Sequence, residues 1–130
     1  MTSQLTPGST RLLGALLVAG LISPLAVLAE GDSAAGKALY DRRCLGCHGD
    51  AKKSNTQGPS LVGVVGRKAG TAGGGATSRA LTESGIVWNE ATLEEYLASP
   101  GDKVHGTIMP IGTQRPQDRA DLIAYLTSML

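Results

Sequence analysis

The sequence predicts an all-α domain in which three main helices are joined by long loops. Three stretches place apolar residues three and four positions apart, the spacing that gives a helix one apolar face. No stretch alternates apolar and polar residues convincingly over the length of a strand. The chain has 130 residues, which suits one domain rather than two. We therefore expect a single small helical domain.

The N-terminal segment is typical of a secretory leader. A polar start with one positive charge is followed by an apolar run over residues 12–22 and by the small or modest residues Val27 and Ala29. This pattern predicts a signal peptide over residues 1–29, cleaved before a domain of residues 30–130. The alternative is an uncleaved membrane anchor, which would be of marginal length and interrupted by glycine, serine and proline. Both interpretations place the domain outside the cytoplasm.

The composition gives no support for nucleic-acid binding and suggests that a large apolar ligand occupies the core. The formal net charge of +1 gives no indication of a nucleic-acid partner. One of the 12 basic residues lies in the leader, so the remaining 11 balance the 11 acidic residues. Aromatic residues are scarce, with Trp88, three tyrosines and no phenylalanine. Because aromatic side chains usually fill a core of this size, their shortage leaves room for a non-protein apolar body.

The first predicted helix spans residues 33–43, with Ser33 as its N-cap. Gly36 lowers the helix propensity, and we expect it to mark a close crossing with another helix. Residues 48–82 are rich in glycine, serine, threonine and lysine and predict a long, mostly irregular connection. A compact domain rarely tolerates such a loop unless it wraps around something.

Two further helices are predicted in the C-terminal half. The second spans residues 89–99, capped by Asn89 and ended by Pro100 and Gly101. The third spans residues 116–130 and begins near Pro116. Its apolar face has the spacing i, i+3, i+4, i+7, formed by Leu122, Tyr125, Leu126 and Met129.

The strongest chemical signal is the pentapeptide Cys44-Leu45-Gly46-Cys47-His48. Two thiols three positions apart on one turn can both reach the vinyl groups of a haem and form thioethers, and the following histidine can then present its imidazole to the iron. This spacing predicts covalent attachment of one haem c, which would also give the long loop something to enclose.

Two other kinds of site use cysteines at the same spacing. A thioredoxin-like redox pair requires a βαβ context, which this sequence lacks. A structural zinc site requires four ligands, and the chain has no second cysteine pair. Since both cysteines of the chain lie in the motif, haem attachment is favoured.

The haem iron needs a ligand on the face opposite His48. Met109 lies in a loop between two predicted helices, where it can carry a thioether across the open face, and we expect it to be the axial ligand. His105 is the alternative, and otherwise an exposed loop residue. Met129 falls on the apolar face of the last helix and is expected in the core. Ligation by histidine and methionine raises the reduction potential and fills the coordination sphere.

Several ordered motifs give the chain a specific resemblance. They cover nearly everything from Gly31 to Leu130 and comprise the cysteine–histidine motif, Gly58-Pro59-Ser60-Leu61, Gly63-Val64-Val65-Gly66-Arg67-Lys68, Gly85-Ile86-Val87-Trp88, Glu95-Tyr96-Leu97, Gly106-Thr107-Ile108-Met109 and Arg119-Ala120-Asp121-Leu122-Ile123-Ala124-Tyr125-Leu126. In these segments the chain resembles class I cytochromes c, especially the branch close to mitochondrial cytochrome c. The resemblance implies the small cytochrome c fold, with three main helices and long loops around one haem.

The resemblance also implies roles for individual residues. The carbonyl of Pro59 would accept the proton on the far nitrogen of His48 and so fix the ring. Arg67 and the indole N–H of Trp88 would reach a haem propionate, although Trp88 could simply fill the core. Tyr96 would direct its hydroxyl towards the sulfur of Met109. Where the first and last helices cross, the implied contacts join Gly36 and Tyr40 to Leu122 and Tyr125.

Three positions depart from the mitochondrial pattern. Ile108 replaces a frequent lysine before the ligand methionine, Ile111 replaces a frequent aromatic residue after it, and Leu81 stands where a polar residue is common. The basic residues near the haem segments are Arg42, Arg43, Lys52, Lys53 and Lys103, and they could steer acidic partners weakly. Electron transfer therefore carries over from the family, whereas the partner does not.

We accordingly expect a non-enzymatic, monomeric electron-transfer protein of the periplasm that exchanges single electrons with respiratory or photosynthetic complexes. One alternative is a dedicated cytochrome c subunit of a periplasmic dehydrogenase or oxidase. Another is a haem enzyme or gas sensor, which would require that Met109 leave the iron open. The triglycine at residues 73–75 lacks the Lys-Ser/Thr of a phosphate loop and is interpreted as flexible loop.

Overall fold

A computed structural model describes residues 30–50 and 57–129, together with Met1 and Ser3. The predicted signal peptide and its cleavage site fall almost wholly outside these residues. The described part is helical and contains no strand, and its one isolated antiparallel bridge joins Lys68 to Val87. The helices are α1 (Ser33–Arg43), α2 (Leu45–His48), α3 (Arg79–Glu83), α4 (Glu90–Ala98), α5 (Pro100–Lys103) and α6 (Pro116–Ser128). The predicted all-α class is confirmed.

Helix α1 occupies the predicted residues, but the prediction of its N-cap was wrong. The side chain of Asp32, not that of Ser33, accepts hydrogen bonds from the backbone N–H groups of Ala34 and Ala35, at 2.8 and 3.2 Å. Asp32 has extended backbone angles, so its carboxylate reaches the unpaired N–H groups of the first turn. The backbone N–H of Asp32 also donates to Asp121 in α6, which fixes where α1 begins.

Removing this cap gives a test of the helix start. We expect Asp32→Ala to lower the free energy of unfolding of the holoprotein by about 1 kcal/mol, because two N–H groups lose their acceptor. Ser33→Ala is the matched control and should change it by less than about 0.5 kcal/mol, as surface substitutions generally do. Urea titration of both variants measures the difference. A larger loss for Ser33→Ala would contradict the assignment of the cap.

Helices α1 and α6 form the central crossing of the fold. A Cβ atom at Gly36 would lie 1.9 Å from the carbonyl oxygen of Asp121, so the crossing requires glycine at this position. One turn further on, Tyr40 and Tyr125 pack edge to face with ring centroids 5.4 Å apart, and Tyr40 and Leu122 are each only 1% exposed. The packing role expected for Gly36 is confirmed.

Helix α4 also begins as predicted. The side chain of Asn89 accepts from the backbone N–H of Thr92, whose hydroxyl in turn accepts from the backbone N–H of Asn89, forming a reciprocal capping box. The predicted break at Pro100 and Gly101 is real, but the chain does not become irregular there. Pro100 instead occupies the first position of the short helix α5, where its missing N–H is no disadvantage.

The loops contain more structure than the sequence indicated. Helix α3 falls at the end of the segment predicted as irregular, and the hydroxyl of Ser78 caps it by accepting from Leu81 N–H at 3.1 Å. Near the C-terminus, the backbone N–H of Gly63 donates to the carbonyl of Met129 at 2.6 Å, which ties the long loop to the end of α6. Met129 is 7% exposed, so its predicted place in the core is confirmed.

A buried arginine holds the loop that precedes α6. Arg119 is 9% exposed and donates to the carbonyls of Thr113 and Gln114, at 2.8 Å each, while its Nε donates to Glu94 of α4 at 2.7 Å. The backbone N–H of Thr113 also donates to the carbonyl of Leu97 at 2.6 Å. These bonds fix one end of the loop that contains Met109.

Candidate haem site

A cavity of about 360 Å³ lies inside the domain, between the helices, the loop residues 57–78 and the loop between α5 and α6. This size is within the range of roughly 300–1,000 Å³ that is usual for cofactor sites. Its walls are mostly apolar, and the side chains that form them include Leu61, Val64, Leu81, Trp88, Leu93, Leu97, Leu122 and Leu126. The core therefore surrounds a space, as the shortage of aromatic residues predicted.

The cysteine–histidine motif forms one wall of this cavity. Cys44, Cys47 and His48 all line it. The backbone N–H groups of Cys47 and His48 both donate to the carbonyl of Cys44, at 3.1 and 2.9 Å, so one tight turn presents the three side chains together. Neither of these two thiols forms a disulfide. Burial raises the pKa of the Cys44 thiol, chiefly because the thiolate would be desolvated, so this group is kept neutral.

The ring of His48 is held by a backbone carbonyl. Its Nδ1 lies 2.9 Å from the carbonyl oxygen of Pro59. This contact favours the tautomer in which Nδ1 carries the proton and donates it to the carbonyl, leaving Nε2 with a lone pair for a metal. A Cβ atom at the neighbouring Gly58 would lie 3.0 Å from Nδ1, so glycine gives the ring its space. The structure thus brings together His48 and Pro59 as the resemblance implied.

Met109 lines the same cavity from the loop between α5 and α6. The loop is held by Thr107, whose hydroxyl oxygen lies 2.6 Å from the Tyr96 hydroxyl and accepts from the backbone N–H of Met109 at 3.4 Å. The pKa of Tyr96 is raised by burial, and the bond to Thr107 opposes that shift. The resemblance placed the Tyr96 hydroxyl near the Met109 sulfur, and the structure gives it Thr107 as a partner.

The other two candidate ligands do not line the cavity. His105 is exposed and lies outside the set of lining residues. Met129 is buried in the core, also away from the cavity walls. Of the three side chains weighed from the sequence as a sixth ligand, only Met109 lies where the cavity brings it together with the cysteine–histidine motif.

Arg67 and Trp88 also line the cavity. Arg67 donates to the carbonyls of Ser60 and Val62 at 2.7 Å each, and its partial burial lowers its pKa by desolvation. Trp88 is 6% exposed and packs at a tilt on Tyr96, with ring centroids 5.0 Å apart. Trp88 therefore contributes to the core as well as to the wall of the cavity.

Sequence reasoning missed Thr77, which also lines the cavity. Its hydroxyl is buried and has no hydrogen-bond partner, the one such side-chain group recorded in the described part of the chain. A buried hydroxyl without a partner is costly, so a polar group entering the cavity would stabilise it. Thr77 lies next to Ser78 in a loop whose sequence contains no recognisable motif, so no sequence pattern marks this residue.

The charges around the cavity have one sign. Arg43, Arg67 and Lys68 line it, and no described aspartate or glutamate does. A haem fits this donor set, because its apolar ring matches the walls, its vinyl groups match two thiols, and its propionates match the cations and the Thr77 hydroxyl. Two thiols and a histidine on a single turn, opening into a mostly apolar cavity of a small helical domain, define the class of haem proteins with covalent c-type attachment.

Comparison with known proteins agrees with this class. The family model of cytochrome c matches residues 33–130, and the chain belongs to the cytochrome c family as a class I, single-haem member. The chain is 42% identical to cytochrome c of Chlamydomonas reinhardtii over 107 residues, which cover 81% of this chain and 96% of the relative. It is 46% identical to cytochrome c2 of Rhodopila globiformis over 100 residues, covering 76% and 94%.

A solved structure gives the same answer for the fold. Cytochrome cH from Methylobacterium extorquens aligns with a TM-score of 0.69 at 45% identity, covering 75% of this chain and 99% of that one. The protein is thus an electron-transfer haem protein with covalently bound haem c. Within residues 30–50 and 57–129, no helix has both the length and the apolar character needed to cross a bilayer.

Proposed function

We propose that the protein is an exported, single-electron carrier of the periplasm, with His48 and Met109 as the axial ligands of its haem iron and Cys44 and Cys47 as the attachment points. The observation that carries this proposal is that one mostly apolar cavity is lined by all four side chains while excluding His105 and Met129. The bound iron would supply a one-electron couple between its ferric and ferrous states.

The protein's part in this function is to hold both ligands still. Pro59 fixes the ring of His48 through the Nδ1 contact. Thr107 and Tyr96 hold one side of the Met109 loop, and Arg119 holds its far end. Since these bonds do not depend on the charge of the iron, both ligands can stay in place in each redox state. Little structure must then rearrange when an electron arrives or leaves.

The remaining site residues would hold and screen the haem. Arg67 and the Thr77 hydroxyl are the candidates for binding propionates, because one is a partly buried cation and the other lacks a partner. Trp88 and Tyr96 close the apolar wall with paired rings. Their burial excludes water, which favours electron transfer over ligand exchange at the iron.

Export is supported by the leader-like residues 1–29. We take the mature protein to be residues 30–130, monomeric and not inserted in a membrane, with redox proteins as partners. Steering by surface charge is weak in this proposal. Lys103 is paired with Glu95, and Lys52 and Lys53 lie outside the described residues. Arg42 and Arg43 remain as the basic residues near the cysteine motif.

Fractionation and redox titration test this function together. We expect the haem protein in the periplasmic fraction without detergent, eluting as a monomer and titrating reversibly as a one-electron couple. Ferrous protein should bind carbon monoxide slowly or not at all, because the axial sites are filled. Tight co-purification with one dehydrogenase or oxidase would instead indicate a dedicated subunit. Rapid carbon monoxide binding would contradict a carrier whose iron is held by two side chains.

A further inference from the structure

The hydroxyl of Tyr40 makes a hydrogen bond that the packing of its ring does not require. Tyr40 is 1% exposed, and its ring packs edge to face on Tyr125 where α1 crosses α6. A phenylalanine ring would fill the same space. The hydroxyl also donates to the carbonyl oxygen of Gly49, at 2.6 Å, and Gly49 directly follows His48 in the chain. The bond therefore joins the buried side of α1 to the end of the cysteine–histidine turn.

Helix α2, which forms this turn, has few hydrogen bonds of its own. It spans only Leu45–His48 and ends at Gly49, whose φ of 73° lies in the left-handed region that favours glycine. The backbone N–H of Gly49 donates to the carbonyl of Leu45 at 2.9 Å. A single helical turn is not stable by itself, because it fixes several residues for very few hydrogen bonds. An anchor outside the turn stabilises its end, and Tyr40 supplies one.

His48 is held at two points by these contacts. Its ring is held by Pro59, whose carbonyl oxygen lies 2.9 Å from Nδ1. Its backbone is held through Gly49 by the bond from Tyr40. Thioethers at the two cysteines would fix the start of the turn, whereas Tyr40 fixes the peptide that follows the histidine. Burial raises the pKa of Tyr40, chiefly because the phenolate would be desolvated, so the hydroxyl keeps the proton that it donates.

We infer that Tyr40 is a positioning residue for His48, because its hydroxyl fixes the Gly49 carbonyl and, with it, the backbone that carries the imidazole. This inference rests on the proposed ligation of the iron by His48 and adds a residue that controls it. The distance between Nδ1 and the Pro59 carbonyl depends on where that backbone lies. A stronger bond at Nδ1 makes Nε2 a better electron donor, which favours ferric iron. Loss of the Tyr40 bond should therefore weaken the Nδ1 contact and raise the reduction potential.

Tyr40→Phe tests this role, because it removes one oxygen atom and keeps the ring. We expect the equilibrium between the holoprotein and a reference one-electron couple to shift about threefold towards the reduced protein, which corresponds to about 28 mV at about 59 mV per tenfold change. In the ferrous holoprotein, the NMR signal of the His48 Nδ1 proton should move upfield, and this proton should exchange with water about fivefold faster. Both changes follow from a weaker bond to the Pro59 carbonyl.

Two controls separate positioning from packing and from stability. Tyr125→Phe removes the other hydroxyl of the same aromatic pair, and Tyr125 does not line the cavity. Asp32→Ala removes the cap at the start of α1, whereas the haem motif follows the other end of that helix. It should therefore lower the free energy of unfolding without affecting Gly49. Both controls should leave the redox equilibrium and the His48 signal unchanged.

The outcomes separate this inference from the function on which it rests. A wild-type holoprotein without a reversible one-electron couple would contradict the carrier function itself. A normal couple, with Tyr40→Phe indistinguishable from Tyr125→Phe, would overturn the positioning role alone. So would a fall in the potential of Tyr40→Phe, or a change in only one of the two readouts, because the hydroxyl would then not act through the His48 ring. Equal changes in Asp32→Ala would also overturn it, since they would reflect lower stability and not the bond to Gly49.

Discussion

Replacing Met109 by alanine is expected to abolish the weak far-red absorbance band of sulfur-to-iron charge transfer in the ferric protein. The reduction potential should fall by roughly 200 mV or more, within the span of about 0.8 V that axial ligands set. We expect both changes because Met109 is the one methionine of the described residues that lines the cavity, and its thioether is therefore the sulfur placed to bind the iron. Absorbance spectroscopy and potentiometry of the purified holoprotein measure both changes.

Met129→Leu is the matched control for this experiment. Met129 is buried in the core outside the cavity walls, whereas Met109 is partly buried and lines the cavity, and leucine conserves most of the volume of Met129. The control should retain the far-red band and the potential, with a loss of stability below about 1.5 kcal/mol. A band that survives in Met109→Ala would show that another group binds the iron and would overturn the proposed ligation.

The second large effect is expected on the stability of the fold rather than on the redox chemistry of the haem. Gly36→Ala should lower the free energy of unfolding by about 3 kcal/mol or more, because the added Cβ would lie 1.9 Å from the carbonyl oxygen of Asp121 and must force α1 and α6 apart. The edge-to-face contact of Tyr40 with Tyr125 would be disturbed as well. For a domain of about 100 residues, each kcal/mol corresponds to roughly 4–8 °C in Tm.

Gly101→Ala is the control for replacing a helical glycine by alanine at a position without a close contact. Gly101 lies inside α5, and a Cβ atom there would meet nothing within 4 Å. Alanine should be neutral or should stabilise the protein by roughly 0.5–1 kcal/mol, the usual difference within a helix. Thermal unfolding of both variants measures the contrast. If the two substitutions had the same effect, the close crossing of α1 and α6 would not be what requires Gly36.

The sequence predicted those features that depend on local chemistry. Helices α1, α4 and α6 follow from apolar spacing and from punctuation such as Asn89 and Pro116, which act within a few residues. The haem motif is equally local, since one turn suffices to present Cys44, Cys47 and His48. The packing role of Gly36 was predictable as well, because a glycine within a helix weakens that helix and is usually there for a close contact.

Features that depend on tertiary placement were not predictable. Asp32 and Ser33 are both good caps, and only the backbone angles decide which side chain reaches the first turn. Thr77 has no sequence signal, because its importance comes from being buried against the cavity without a partner. The pairing of Lys103 with Glu95 and the bond from Arg43 to Gly112 likewise join residues that the sequence separates, and they decide which charges remain available to a partner.

The proposed function depends on one haem that is covalently bound through Cys44 and Cys47. Intact-mass spectrometry of the exported protein in denaturing solvent tests it most directly, because a haem held only by ligands is released under those conditions. We predict the mass of residues 30–130 plus one haem, with neither thiol open to alkylation. A polypeptide mass without haem, carrying two alkylated cysteines, would contradict the account.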